Sequence, residues 1–198
     1  MGDREKMGLF GGSFDPIHTG HLILAESARA FLGLGRVLFV PTAMPPHKRH
    51  GRMTDYSLRT RMIELAIGDN PFFELSTFEG EARISYTFET VLHFKERGFG
   101  KEEIHLLIGS DSLGEISTWK NPGSIFENAT IAVLVRPGFE HLPSLPASAS
   151  VVMIETGGNT ISSTEIRRLV GEGRSIRYLV PPPVERFIDS NALYRAPA

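Results

Sequence analysis

The decisive stretch runs Met7-Gly8-Leu9-Phe10 and then Gly11-Gly12-Ser13-Phe14-Asp15-Pro16-Ile17-His18-Thr19-Gly20-His21. Four mostly apolar residues, two glycines and a segment whose apolar side chains recur at helical spacing (Leu22, Ile23, Ala25, Ala28, Phe31) read as strand, tight turn and helix over Thr19 to Leu32. The glycines allow a ligand to come close to the backbone. The start of the helix offers unbonded N–H groups and the positive end of its dipole, an arrangement suited to phosphate. His18 and His21 are three residues apart and share one face of the first turn, where their ring nitrogens are placed to hold phosphate oxygens.

Outward from this unit the pattern repeats. Apolar runs over Arg36 to Val40, Phe72 to Leu75, Ile104 to Ile108, Thr130 to Val135 and Val151 to Ile154 alternate with helix-period segments over Tyr56 to Ile67 and Tyr86 to Arg97. Ser162 opens a further helix with Glu165 three residues on, the spacing of a reciprocal capping box. A last short helix is expected over Val184 to Asp189, after three prolines. Alternating strands and helices predict an α/β fold: a Rossmann-like, doubly wound parallel sheet in a single domain over 1–198. Residues 1–6 are expected to be flexible, and 162–198 to form a C-terminal helical part. Ligands of such sheets bind beyond the carboxyl ends of the strands.

Bulk properties narrow the function classes. A formal net charge of -2 argues against a general nucleic-acid binder. The absence of cysteine removes disulfides, thiol nucleophiles and thiolate metal sites. No apolar run reaches the roughly 20 residues that span a bilayer, and the charged start Asp3-Arg4-Glu5-Lys6 has no signal-peptide core. A cytoplasmic protein without nucleic-acid or membrane partners is expected, with a homo-oligomer left open. His47 and His50, with His18 and His21, raise a metal site, but no carboxylate or further histidine is patterned around them, so none is expected. His47, Lys48, Arg49 and Arg52 read instead as an anion-attracting loop between Pro41 and Thr54. Arg59 and Arg61 read as the solvated side of their helix, and His93, His105 and His141 as surface or strand-edge residues.

Two further clusters carry chemistry. Ile161-Ser162-Ser163-Thr164-Glu165-Ile166-Arg167 forms a second capped helix start, with Arg167 in its first turn able to give charge-assisted bonds to an anion. Gly109-Ser110-Asp111 ends a buried-type strand, Asp111 being placed to cap the helix after it or to accept from a ligand hydroxyl or amide, and Trp119, the single tryptophan, suits stacking on an aromatic ring.

Gly12-x-Phe14-Asp15-Pro16-x-His18-x-Gly20-His21 resembles the first signature of the nucleotidylyltransferase superfamily, and Ile161 to Arg167 resembles its second. Pro45-Pro46-His47-Lys48, Ser85-Tyr86-Thr87, Gly109-x-Asp111 and Trp119 narrow the resemblance to the bacterial nicotinate-nucleotide adenylyltransferases, over Met7 to about Tyr194. The resemblance implies an enzyme that moves AMP from ATP to nicotinate mononucleotide, with Mg2+ accompanying ATP. It implies catalytic roles for His18, His21 and Arg167, and an ATP site from Gly11, Gly12, Ser13, Phe14, His18, Gly20, His21, Gly109, Asp111, Ile161, Ser163, Thr164 and Arg167. Lys48, Ser85, Tyr86, Thr87, Trp119 and Arg136 are the acceptor-binding residues it implies. An adenylyltransferase for nicotinamide mononucleotide or phosphopantetheine, and a nucleotide-sensing module without turnover, stand as alternatives.

Overall fold

The sheet has six strands, all parallel, in the order β3-β2-β1-β4-β5-β6. They are β1 (Met7–Gly12), β2 (Arg36–Pro41), β3 (Phe73–Leu75), β4 (Ile104–Gly109), β5 (Thr130–Val135) and β6 (Ser150–Glu155). The helices are α1 (Thr19–Leu32), α2 (Tyr56–Ile67), α3 (Thr87–Glu96), α4 (Ser110–Glu115), α5 (Pro122–Asn128), α6 (Ser163–Gly171) and α7 (Pro182–Ser190). The structure is a computed structural model, and it describes residues 5–43, 53–81, 86–135, 143–156 and 160–195. No helix among these is long and apolar enough to cross a membrane.

Alternation along the strands sends side chains to two cores. From β1, Met7 and Leu9 enter one core and Phe10 the other; from β5, Ile131 and Val133 oppose Ala132 and Leu134 in the same way. One core is closed by α1, α2, α6 and α7, through residues such as Leu24, Met62, Ile166 and Ile188. The second is closed by α3, α4 and α5, through Val91, Leu113 and Ile125. Covered on both faces, the strands are near-continuous apolar runs, as buried parallel strands are. The expected doubly wound sheet is thereby observed, and its winding reverses between β1 and β4.

Several local expectations change. The helix expected after Asp111 is α4, which is short and starts at Ser110; α5 was not foreseen, and it begins with Pro122 at a first-turn position that proline favours, behind Asn121 in a left-handed conformation at φ 49°. The capping box of α6 is half formed, since Ser162 Oγ accepts from the Glu165 N–H at 3.2 Å while the Glu165 carboxylate turns to Arg168 at 2.7 Å. Arg167 lies in the second turn of α6, not the first. Gly109, not Asp111, is the residue that precedes the first turn of α4. His105 is buried at the second position of β4, and burial pushes its imidazole below the usual range, so it is no surface residue. Arg59 is fully buried, whereas Arg61, two residues on, is exposed and paired with Glu64 at 2.8 Å.

Candidate active site

At the reversal point the strands β1 and β4 diverge beyond their carboxyl ends, and a cavity of about 240 Å³ opens there. Gly11 and Gly12 end β1, Gly109 ends β4, and all three border the cavity together with Thr87 from α3 and Trp119. Five sequence-predicted residues from three distant segments thus line one cavity. No atom lies within 4 Å of where a Cβ would sit on Gly11 or Gly109, so their backbone borders open space. Trp119 is half-buried, packed on the core of its face with its ring lining the cavity.

Beside this cavity the chain turns from β1 into α1. Phe14 takes a left-handed φ of 45°, a conformation L-residues rarely adopt. Its ring is buried, edge-on to Phe10 at 5.6 Å and tilted against Phe39 at 5.7 Å. The Phe14 side chain, expected at the ATP site, is thus packed into the core. Gly20 is likewise buried inside α1. His18 and His21 stack with ring centroids 3.6 Å apart. His18 is buried and its backbone N–H donates to His21 Nδ1 at 3.2 Å. That bond makes Nδ1 of His21 the acceptor and puts the proton of the neutral ring on Nε2. The Phe14 ring braces His21 from 5.0 Å. A rigid pair of imidazoles at a helix start, with N–H donors beside them, can stabilise charge on phosphate oxygens.

The second signature meets the first in space. Ser163 Oγ donates to the carbonyl of Pro16 at 2.9 Å, and Arg167 Nη1 donates to the carbonyl of Asp15 at 2.7 Å. Arg167 Nη2 also donates to Thr164 Oγ1 at 3.3 Å. These side chains, expected to face a ligand, hold up the turn that carries His18. Thr164 is exposed at the start of α6, and Ile161 packs on the core beneath it.

Other predicted residues stand apart from the cavity. Tyr86 precedes α3 and does not line the cavity; its ring lies 3.9 Å from the ammonium of Lys120. Asp111 is exposed in the first turn of α4, away from the cavity lining. Lys48, Ser85 and Arg136, with His47, His50 and His141, lie outside the described residues.

Sequence reasoning missed a buried polar set around the turn. Asp15 accepts from Tyr194 OH at 2.7 Å and from the Thr54 N–H at 3.3 Å. Arg59 donates to the carbonyls of Ser13, Thr54 and Ala43. Burial pushes the Tyr194 phenol up and the Arg59 guanidinium down, the latter opposed by attraction to Asp15. Within the cavity, Glu79 accepts from Thr90 Oγ1 at 2.6 Å. Among the described residues no three His, Asp or Glu side chains gather where they would hold a metal ion.

A family model described as cytidylyltransferase-like matches residues 9–169. A probable nicotinate-nucleotide adenylyltransferase of Moorella thermoacetica is 40% identical over 200 residues, covering 96% of this chain and 92% of its own. One of Exiguobacterium sibiricum is 40% identical over 190 residues, covering 96% and 98%. The chain belongs to the nicotinate-nucleotide adenylyltransferase family. Its fold is shared by the Plasmodium falciparum nicotinic acid mononucleotide adenylyltransferase solved with NaAD, at a TM-score of 0.81 and 18% identity over 96% of this chain and 98% of that one. In this family's chain, the two signatures read at opposite ends of the sequence form one structure around residues 13–18, and the cavity beside it carries Thr87 and Trp119.

Proposed function

We propose that this enzyme transfers AMP from ATP to nicotinate mononucleotide, releasing pyrophosphate and forming nicotinate adenine dinucleotide, a step of NAD biosynthesis. Family membership carries the reading, and the geometry offers it two adjoining places. The cavity bordered by Thr87 and Trp119 takes the pyridine mononucleotide, its ring against the indole. The start of α1, with the stacked His18 and His21, takes the phosphates of ATP.

The acceptor phosphate is already anionic and needs no general base. One of its oxygens attacks the α-phosphorus in line, the bond from that phosphorus to the bridging oxygen breaks, and the pair of electrons leaves with pyrophosphate. Catalysis then rests on alignment and on stabilising charge that grows on the phosphate oxygens. His21 Nε2–H, His18 and the backbone N–H groups of the turn supply donors to those oxygens, with Ser163 and Thr164 from the first turn of α6 and Arg167 from its second beside them. Mg2+ fits as the companion of ATP. Among the described residues no group of three carboxylate or imidazole side chains gathers to cage it, so the ion would be held mainly by phosphate oxygens and water and would supply positive charge to the phosphates.

The test is pyrophosphate release from ATP with nicotinate mononucleotide, run in parallel with nicotinamide mononucleotide and phosphopantetheine. Fastest turnover with nicotinate mononucleotide is expected, and turnover only with another acceptor refutes the assignment. Each of His18→Ala and His21→Ala is expected to lower kcat by about 10² to 10³, the effect of removing one preorganised donor. Folded variants that keep full turnover refute the role given to the histidines.

A further inference from the structure

Arg59 is the most deeply buried charged side chain described, with no exposed surface at all. Withdrawing a guanidinium from water costs several kcal/mol unless its donors are met. Its donors are met in an unusual way. Nη1 donates to the Ser13 carbonyl at 2.7 Å, Nε to the Thr54 carbonyl at 2.9 Å, and Nη2 to the Ala43 carbonyl at 3.2 Å. The group also lies 5.4 Å from the Tyr56 ring centroid, and the Asp15 carboxylate attracts it. Three separate stretches of backbone converge on one planar fork: the turn after β1, the end of the chain leaving β2, and the approach to α2. An ammonium has neither the five donors nor the fixed spread to serve all three.

The bond to Ser13 has a specific consequence. A trans peptide is planar, with its carbonyl and the next N–H pointing in opposite directions. Drawing the Ser13 carbonyl toward Arg59 therefore fixes where the Phe14 N–H points. The same peptide plane sets φ of Phe14, which sits at 45°, a conformation that persists only when its surroundings over-determine it. The Phe14 ring is held from the core side by Phe10 and Phe39, and the peptide before it is held by Arg59. Without the guanidinium one of the two restraints is gone, and the turn leading to His18 is free to relax.

We infer that Arg59 is a positioning residue for AMP transfer: it holds the Ser13–Phe14 peptide in the conformation that aligns the turn and His18 with the phosphates of ATP. The inference rests on the proposed placement of ATP at this turn. It assigns Arg59 no contact with substrate.

Four proteins test it: wild type, Arg59→Ala, Arg59→Lys, and Arg61→Ala as the exposed control from the same helix. Each is checked for folding by its melting curve. ATP affinity without acceptor is measured by calorimetry, and kcat and KM are measured well below the melting temperature. Arg59→Ala is expected to lose about 100-fold in kcat/KM for ATP, the scale of a misplacement of about 1 Å. It is expected to regain at least tenfold when millimolar guanidinium is added, which refills the vacated site and does nothing for wild type. Arg59→Lys is expected to recover only a small part of the loss, and Arg61→Ala to match wild type. A folded Arg59→Ala or Arg59→Lys within twofold of wild type overturns the inference. So does a loss that guanidinium does not relieve, and so does failure of both variants to fold, since Arg59 would then be required for the fold alone. A wild type that binds ATP but transfers no AMP refutes the proposed function instead, and the Arg59 comparison is then read from ATP affinity.

Discussion

Replacing Tyr194 by Phe removes one oxygen and leaves the ring in place. That oxygen donates to Asp15 Oδ1 at 2.7 Å across a sequence separation of 179 residues, so it ties the end of the described chain to the turn after β1. Asp15 is buried, and a hydrogen bond to a charged group contributes about 1.5–3 kcal/mol. Asp15 is not stranded by the change, because the Thr54 N–H at 3.3 Å and the attraction of Arg59 remain, so the lower half of that range is expected. In a chain of this size each kcal/mol moves the melting temperature by about 2–4 °C. Thermal unfolding followed by circular dichroism at pH 7.5 should then place the variant about 3–9 °C below wild type. A second signature lies in the pH dependence. Burial raises the Tyr194 phenol above its usual range, so its contribution is fully present below the unfolded-state value of about 10 and is lost as pH rises beyond it. There the unfolded chain releases a proton that the native one keeps. The gap between wild type and variant should therefore narrow above pH 10, by at most about 1.4 kcal/mol per pH unit. A variant that melts within 1 °C of wild type at pH 7.5, with a gap unchanged from pH 8 to pH 11, refutes the reasoning.

Trp119→Ala removes the ring that lines the cavity beside Thr87; stacking of an aromatic side chain on a base contributes about 1–3 kcal/mol, so KM for nicotinate mononucleotide should rise about 5- to 150-fold in steady-state assays while KM for ATP stays within about twofold. Equal rises in both would place the indole outside the acceptor site. His105 is buried and its imidazole lies below the usual range, so its contribution is present above the unfolded-state value of about 6.5 and is lost as pH falls below it, by at most about 1.4 kcal/mol per pH unit. The melting temperature of wild type should drop between pH 7 and pH 5 more than that of His105→Gln, and parallel curves would show that His105 takes no part.

The backbone plan was legible because its signals are statements about side-chain periodicity. Met7 to Phe10, the glycines and the helical spacing of Leu22, Ala25 and Ala28 specify strand, turn and helix without reference to anything distant. What the sequence hides begins where a charged side chain sits at a core position. Arg59 falls in register with Met62, Ile63 and Ala66, three, four and seven residues on, which is the buried stripe of α2, while Arg61 falls opposite. The periodicity was there to be read; the identity of the residue argued against it, because an arginine is rarely buried. Helix α5 was obscured in a similar way, since Asn121-Pro122 signals a turn as readily as a helix start. The deeper limit concerns partners. Ser163, Arg167 and Arg59 donate to the carbonyls of Pro16, Asp15 and Ser13. A carbonyl is the same group whatever residue bears it, so a side chain that recognises backbone leaves no matching residue type to find. Motifs matched by side chain therefore show which residues gather around the turn, and only coordinates show that several of them are spent on holding the turn itself. The consequence is mechanistic. If Arg167 and Ser163 keep these bonds when ATP is present, their loss acts first on the placement of His18, and their variants should resemble Arg59→Ala more closely than His21→Ala.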